Sequence, residues 1–282
     1  MAAVASHADA RHVGGEWFVR IDDIDVARAR RDAADRILAT LADHGMRSDR
    51  EIAWQSQRLL RYDEAFAALR AQHAVYACSC SRAALAHGAT GPLGEPIYPG
   101  TCRDAAAPIG GNVAWRMRVA DARVAFTDRV QGPQRQSLAE AVGDFIVKRS
   151  DGLYAYQLAI AVDDGDDDIS DVVRGADLLA STPRQILLQR ALGLPTPRYL
   201  HVPVAVNADG TKLSKSTDAR ALDAAPVSAL CAAWHFLGQS PRDGAPATVA
   251  QFWEHALRAW SPSRIPAVAT LACPPAYAWR VK

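Results

Sequence analysis

The stretch Tyr199-Leu-His-Val-Pro-Val-Ala-Val-Asn-Ala-Asp-Gly-Thr-Lys-Leu-Ser-Lys-Ser-Thr217 decides the fold of this chain. Residues 199–206 are apolar and rich in valine, which predicts a buried strand, and Asp209-Gly210 is a turn signal after it. Lys212 and Lys215 lie beyond the turn. Two ammonium groups on long side chains, in a loop at a strand end, suit a polyphosphate that is held and then released. The alternative interpretation is an ordinary solvated turn.

The composition is that of a globular protein. With 282 residues, 49% of them hydrophobic and 22% charged, the chain can bury a full core and is neither disordered nor fibrous. The longest apolar stretch, residues 153–162, is too short to cross a bilayer. His7 and Asp9 come too early for a secretory signal, so the sequence predicts a cytoplasmic protein.

Charged clusters offer two further candidate sites. The net charge of +1 excludes a strong global attraction for nucleic acid, so an RNA contact requires a local basic cluster such as Arg28, Arg30, Arg31 and Arg36. Aspartates interleave with these arginines, which favours a solvated helix face. The acidic run at residues 163–168 lacks the spacing of an EF-hand, and we expect it to be a solvated turn.

Strands and helices alternate on both sides of a segment with a different texture. We expect a strand at residues 16–21, helices near residues 33–41 and 54–71, and a return of the alternation from residue 145. Cysteines, turns and short strands dominate between them. The predicted fold is therefore α/β, with residues 1–74 and 145–206 as two parts of one core, 75–144 as an insertion, and 207–282 as the lysine loop with a helical C-terminal region.

Two helices carry finer predictions. The helix that ends at Ala71 is expected to bury Leu59, Leu60, Phe66 and Leu69. A later helix begins at Ser181-Thr182-Pro183 and ends at Gly193, with Thr182 expected as the N-cap residue.

Three polar residues follow or begin these elements and could bind a ligand. Asp22 ends one strand, Tyr156 begins a helix and Arg174 ends another strand, so we expect all three at the carboxyl edge of one parallel sheet. A carboxylate for an ammonium, a guanidinium for a carboxylate and a phenol for orientation would hold an α-amino acid. Taken singly, each has an ordinary alternative as a helix cap, a half-buried aromatic residue or an ion-pair partner.

The insertion contains a candidate metal site. Cys78, Cys80 and Cys102 supply three thiols, and alternate residues such as the first two cannot readily form a disulfide with each other. Zinc takes four ligands, and imidazole is a usual partner of thiolates, which makes His87 the first candidate for the fourth. Three reduced cysteines in a small core are the alternative.

Several motifs together resemble a known family. Lys212-Leu-Ser-Lys-Ser216 resembles the KMSKS-type loop of class I aminoacyl-tRNA synthetases. The remaining motifs occur in the order seen in glutamyl-tRNA synthetases, and the resemblance covers most of residues 1–240. They are Val19-Arg-Ile-Asp-Asp-Ile-Asp25, Trp54-Gln-Ser-Gln57, Asp151-Gly-Leu-Tyr-Ala-Tyr156, Val173-Arg-Gly-Ala-Asp-Leu178 and Thr182-Pro-Arg-Gln185.

The resemblance implies a Rossmann-like catalytic core with a zinc-bearing α+β insertion, and it assigns roles to the residues above. Asp22, at a position that is usually Glu in the family, Tyr156 and Arg174 would contact glutamate. Lys215 would contact ATP, and Lys212 would help to neutralise the growing pyrophosphate charge. Tyr98-Pro-Gly-Thr-Cys102 resembles the family's Tyr-x-x-x-Cys element, so Tyr98, rather than His87, would complete the zinc site with Cys78, Cys80 and Cys102.

The implied activity is that of a short paralogue without an anticodon-binding domain. It would activate glutamate with ATP and Mg²⁺ and transfer it to the queuosine base of tRNA(Asp), as a monomer whose core binds the anticodon loop. Alternatives are a truncated glutamyl-tRNA synthetase that charges tRNA(Glu), or a non-catalytic RNA- or zinc-binding paralogue. The non-catalytic alternative is considered because residues 1–6 resemble the helix that follows the family's ATP-binding His-x-Gly-Ser motif. The motif itself would then lie upstream or be lost.

Overall fold

The computed structural model describes residues 1–25, 29–85, 88–91, 94–105, 112–207, 210–211, 225–241 and 244–273. The helices are α1 (Ala2–His12), α2 (Arg31–Asp43), α3 (Leu59–Ala71), α4 (Arg82–Leu85), α5 (Leu138–Ala141), α6 (Tyr156–Asp166), α7 (Thr182–Leu192), α8 (Pro226–Phe236) and α9 (Val249–Ala259), with 3₁₀ turns at Gln55–Gln57, Ala176–Ser181 and Pro262–Arg264. In the described part of the chain, no helix is both long enough and apolar enough to span a membrane.

Within the described residues, the strands form four small sheets. They are β1 (Arg20–Ile21), β2 (Ala53–Trp54), β3 (Val75–Cys78), β4 (Ala114–Met117), β5 (Arg123–Asp128), β6 (Gly132–Ser137), β7 (Phe145–Lys148), β8 (Asp171–Gly175), β9 (Arg198–Val202), β10 (Val204–Val206) and β11 (Thr270–Ala272). The largest sheet has the order β6-β5-β9-β8, in which β9 lies parallel to both β5 and β8 while β6 is antiparallel to β5. A second sheet, β3-β4-β7, is antiparallel.

The α/β class is confirmed, but the expectation of one parallel sheet is wrong. Asp22 follows β1, which pairs in parallel with β2 in a sheet of two strands, whereas Arg174 lies in β8 of the largest sheet. The strand predicted over residues 16–21 is also shorter than expected. Two backbone N–H groups of this segment bond side chains and not a neighbouring strand. The Asp49 carboxylate accepts from the Trp17 N–H at 2.7 Å, and the Ser48 hydroxyl accepts from the Val19 N–H at 3.2 Å.

The strand predicted over residues 199–206 is confirmed in part, since Pro203 divides it. Proline has no backbone N–H to donate to a ladder, and β9 pairs with β8 while β10 pairs with β11. Alternate residues of β9 face two different cores. Tyr199 packs in the core formed with α3, α6 and α7, whereas Leu200 and Val202 pack in the core formed with α1, α8 and α9.

Two finer predictions need correction. In α3, Phe66 and Leu69 are buried as predicted, but Leu59 and Leu60 in the first turn are 42% and 69% exposed. Tyr62, which is fully buried, takes the inward position of that turn. Helix α7 ends at Gly193 as expected, with φ of +68°, but its N-cap is Ser181. The hydroxyl of Thr182 instead accepts a hydrogen bond from Arg174 at 2.9 Å.

Candidate functional site

Arg174 lies in β8 with its guanidinium in a buried hydrogen-bond network. Its Nη2 donates to the Gln185 side-chain oxygen at 2.7 Å, and its Nε donates to Nε2 of His201 at 3.0 Å. Nδ1 of His201 lies 2.6 Å from an Asp128 carboxylate oxygen. Because Nε2 accepts from Arg174, the ring proton is on Nδ1 and is donated to Asp128. The guanidinium plane is therefore held by groups on β5, β9 and α7.

The charges in this network are consistent with a neutral imidazole. Burial lowers the pKa of His201, although hydrogen bonding to Asp128 acts in the opposite direction. Burial raises the pKa of Asp128, but the hydrogen bonds that it accepts from His201 and from three backbone N–H groups outweigh burial and leave the pKa below its ordinary value. A neutral His201 between a cation and an anion can accept from one and donate to the other.

Tyr156, at the start of α6, is affected by the charges of the other two predicted ligand-binding residues. Burial raises the pKa of its phenol, and the charges of Arg174 and Asp22 act on it in opposite directions. The charges of Asp22 and Arg174 therefore both reach Tyr156, although Asp22 follows β1 and Arg174 lies in β8 of a different sheet. Tyr156 as a whole residue is 37% exposed.

Asp22 is held from one side by Arg20. The Arg20 Nε donates to an Asp22 carboxylate oxygen at 3.1 Å, and the Asp22 side chain is 44% exposed. Partial burial raises the pKa of Asp22, against the lowering effect of the Arg20 charge. Its neighbour Asp23 has a different role: it accepts hydrogen bonds from the backbone N–H and hydroxyl of Ser56, at 2.9 and 2.7 Å. Of these two adjacent carboxylates, Asp23 fixes the turn after β2, whereas Asp22 bonds Arg20 and remains partly exposed.

The acidic run at residues 163–168 is not the solvated turn that the sequence suggested. Helix α6 continues to Asp166, and Asp163 and Asp164 are 0% and 6% exposed. Asp163 accepts hydrogen bonds from Gln55 at 2.7 Å and from the Tyr62 hydroxyl at 2.9 Å. These carboxylates attach the end of α6 to β1 and to the 3₁₀ turn after β2.

The three cysteines of the insertion come together as predicted. The ligand atoms of Cys78, Cys80 and Cys102 all lie within 4.8 Å of one another. The Tyr98 hydroxyl lies 3.4 Å from the Cys78 sulfur and 3.8 Å from the Cys80 sulfur. Three thiols and a phenol oxygen match the four-ligand chemistry of a structural zinc site. His87, the alternative fourth ligand, lies outside the described residues.

The surroundings of the cluster favour a thiolate at Cys102, whereas burial raises the pKa of Cys80 and of Tyr98. Nε of Arg116 donates to the Cys78 sulfur at 3.2 Å, and its guanidinium lies 3.8 Å from the centre of the Tyr98 ring. The pKa of Cys102 is lowered to about 6, chiefly by hydrogen bonding to Tyr98. At Gly143, with φ of +64°, a Cβ would lie 2.4 Å from the Tyr98 carbonyl oxygen, so this glycine permits the close approach of the tyrosine backbone.

The lysine loop and part of the arginine cluster cannot be placed. Lys212, Lys215 and Arg28 lie outside the described residues. Arg30 and Arg36 both contact Asp32, at 2.9 and 3.0 Å, on an exposed face of α2, as expected for solvated arginines.

Sequence reasoning missed several supporting residues. They are Arg20, Gln55, Asp128, Asp163, Asp164 and His201. Local signals existed for three of them, since Arg20 and Gln55 lie in motifs quoted above and Asp128 ends a strand.

Comparison with known proteins adds a consistent set of similarities. Residues 1–230 match a family model described as tRNA synthetases class I (E and Q), catalytic domain. The chain is 46% identical over its full length to the Glutamyl-Q tRNA(Asp) synthetase of Aromatoleum aromaticum, covering 90% of that protein. It is 51% identical, over 92% of its length, to the protein of the same name from Burkholderia mallei, again covering 90% of the relative.

Solved structures show a similar fold at lower sequence identity. The glutamate-tRNA synthetase of Elizabethkingia anophelis matches 98% of this chain with a TM-score of 0.79 and 19% identity. A glutamate tRNA ligase from Elizabethkingia meningosepticum, solved in complex with its amino acid, matches with a TM-score of 0.77 and 18% identity. The chain spans 65% and 64% of the length of these two proteins.

Proposed function

The chain belongs to the class I tRNA synthetases of the E and Q type, and we therefore propose that it activates glutamate with ATP and transfers it to the queuosine base of tRNA(Asp). In the first step a glutamate carboxylate oxygen attacks the α-phosphorus of ATP and pyrophosphate leaves. In the second step a queuosine hydroxyl attacks the activated carbonyl and AMP leaves. The name shared by relatives about half identical in sequence supports this choice of substrate.

One observation in the structure carries the proposal for the glutamate site. Tyr156 is within electrostatic range of the carboxylate of Asp22 and of the guanidinium of Arg174. An α-amino acid needs this pattern, with negative charge for its ammonium and positive charge for a carboxylate. In the proposed complex Asp22 binds the ammonium, Arg174 binds a carboxylate, and Tyr156 donates a hydrogen bond that orients the substrate.

The remaining parts of the proposal rest on family likeness and on residue chemistry. Lys215 would bind the ATP phosphates, Lys212 would neutralise charge on the pyrophosphate, and Mg²⁺ would accompany ATP. Zn²⁺ bound by Cys78, Cys80, Tyr98 and Cys102 would be structural and would fix the fold of the insertion. We expect a monomer that binds the anticodon loop of tRNA(Asp) with its core and acts in the cytoplasm.

Transfer of radiolabelled glutamate tests this function. The assay compares tRNA(Asp) that contains queuosine, tRNA(Asp) that contains guanosine at the same position, and tRNA(Glu). We expect label on the queuosine-containing tRNA alone, together with glutamate-dependent exchange of pyrophosphate into ATP. Label at the 3′ end of tRNA(Glu) would favour a truncated glutamyl-tRNA synthetase, and absence of exchange would favour a non-catalytic paralogue.

A further inference from the structure

Arg20 contacts three carboxylates at the boundary between β1 and α6. Its Nε lies 3.1 Å from Asp22 and 3.5 Å from Asp163, and its Nη1 lies 2.9 Å from Asp164. The side chain of Arg20 is 20% exposed. A guanidinium presents its donors in a planar fork, so it can bond several carboxylates in fixed directions, as the compact ammonium of a lysine cannot.

Two of the three carboxylates are buried, and their surroundings hold them in place. The side chain of Asp163 is 0% exposed and accepts from Gln55, from Tyr62 and, at 3.2 Å, from Arg58. The side chain of Asp164 is 7% exposed. These two side chains lie in the last turn of α6, the helix whose first residue is Tyr156. They therefore provide Arg20 with fixed anchors on the helix that carries a proposed substrate-binding phenol.

Asp22, the third carboxylate, is the most solvent-exposed of the three. Its side chain is 44% exposed, and it shares one guanidinium with two buried carboxylates. Arg20 divides its charge among three carboxylates, one of which, Asp163, also bonds Arg58, so the charge of the exposed Asp22 is only partly offset. An ammonium group placed beside Asp22 would balance that charge.

We propose that Arg20 is a positioning residue, which holds the Asp22 carboxylate at the place where it meets the substrate ammonium by anchoring it to Asp163 and Asp164. This role rests on the proposed function, because it concerns the same glutamate site.

A purely structural role for Arg20 is the competing explanation, and the chain contains a matched control. Arg58 also bonds Asp163, and its Nη2 lies 2.8 Å from Asp167, but among the described residues it has no ion pair with Asp22. Arg20→Lys and Arg58→Lys each keep the positive charge and weaken ion pairs to α6. They differ in whether the weakened contacts include the proposed substrate-binding carboxylate.

The experiment measures glutamate binding by calorimetry and kcat and KM for glutamate in pyrophosphate exchange, for the full chain and both variants. We expect Arg20→Lys to raise the Kd and KM for glutamate about tenfold with little change in kcat, and Arg58→Lys to change them less than about twofold. The free energy of unfolding, measured in urea, should fall by similar amounts in both. Equal effects of the two variants on KM, or no effect of either, would overturn the positioning role.

A pH profile adds a readout that a structural role would not move. Arg20→Gln removes the positive charge next to Asp22, which raises the pKa of that carboxyl, so the acid limb of kcat/KM for glutamate should shift to higher pH. The other charges near Asp22, on Asp23 and Asp163, stay in place. An unshifted acid limb contradicts the proposal. Failure of the unaltered chain to bind glutamate would instead refute the proposed function.

Discussion

Arg174 and His201 are register partners on the adjacent parallel strands β8 and β9, and the Arg174 Nε donates to the His201 Nε2 at 3.0 Å. His201→Phe keeps a ring in place but removes the acceptor for Arg174 and the donor to the buried Asp128. We expect a loss of about 2–4 kcal/mol in the free energy of unfolding, together with weaker glutamate binding because Arg174 is no longer held.

Urea denaturation and calorimetric titration with glutamate measure the two effects of that substitution. His255→Phe is the control, because His255 lies on α9, where its ring contacts the Ser240 carbonyl at 3.3 Å. Similar loss of glutamate affinity in both variants would show that the Arg174–His201 contact has no special role in the site.

His7 should make the stability of the protein sensitive to acid. Its ring packs edge-on against Trp17 and Trp253, with centroids 5.2 and 4.4 Å away. Burial, and secondarily the charge of Arg11, lowers its pKa to about 4. Because the folded-state pKa lies below the unfolded value of about 6.5, the unfolded chain binds the proton more tightly. The stabilisation that comes from burying His7 in its neutral form is therefore complete above about pH 6.5 and decreases as the pH falls toward 4.

We expect the loss of stability on protonation of His7 to be roughly 3 kcal/mol. His7→Phe keeps the contacts with the two tryptophans and cannot titrate, so the difference in unfolding free energy between variant and unaltered chain should change between pH 7 and pH 4. Urea denaturation at a series of pH values gives that difference. A difference that is independent of pH would show that His7 does not titrate in this range.

The zinc site can be tested through its fourth ligand. If Tyr98 binds the metal, Tyr98→Phe should release zinc to a chromogenic chelator at least about tenfold faster than the unaltered chain, because one of four ligands is lost. Cys102→Ser should have a larger effect. His87→Ala is the matched control, and faster release from that variant but not from Tyr98→Phe would assign the fourth position to the histidine.

Asp163 should matter for stability far more than a surface carboxylate. Asp163→Ala leaves Gln55 and Tyr62 without their acceptor and Arg58 with one carboxylate fewer, and we expect a loss of about 3–5 kcal/mol. Glu254→Ala breaks an ion pair between Glu254 and Arg258, and these two side chains are 68% and 74% exposed. This substitution should change the free energy of unfolding by less than about 0.5 kcal/mol. Urea denaturation of both variants checks this contrast, which comparable losses would contradict.

Sequence patterns predicted the structural features that depend on neighbouring residues. They did not predict features that depend on residues far away in the chain. Helix α6, the end of α7 at Gly193 and the grouping of three cysteines follow from residues close together in the chain or from motif order. The burial of Asp163 does not: its partners Gln55 and Arg58 lie more than 100 positions earlier in the chain. A run of aspartates is normally solvated, and no local signal shows that arginines from another segment will surround it.

The same limit explains the two misplaced leucines and the sheet arrangement. Leu60 fits an apolar helical pattern, but α3 turns Tyr62 inward in its first turn, so the leucine remains 69% exposed. Asp22 follows strand β1, and Arg174 lies in strand β8. The two strands look alike in sequence, yet they belong to separate sheets. The charges of Asp22 and Arg174 both act on Tyr156 all the same, which depends on packing and not on the sequence of either strand.

Helix α6 carries the Tyr156 phenol at its first residue and the buried acids Asp163 and Asp164 at its last turn. Tyr156 and Asp164 are about 12 Å apart along the helix axis. A ligand that settles against the phenol would therefore slow hydrogen–deuterium exchange along the whole helix and into the loop after it. Ligand binding at Tyr156 should then be visible by mass spectrometry in peptides that do not contact the ligand.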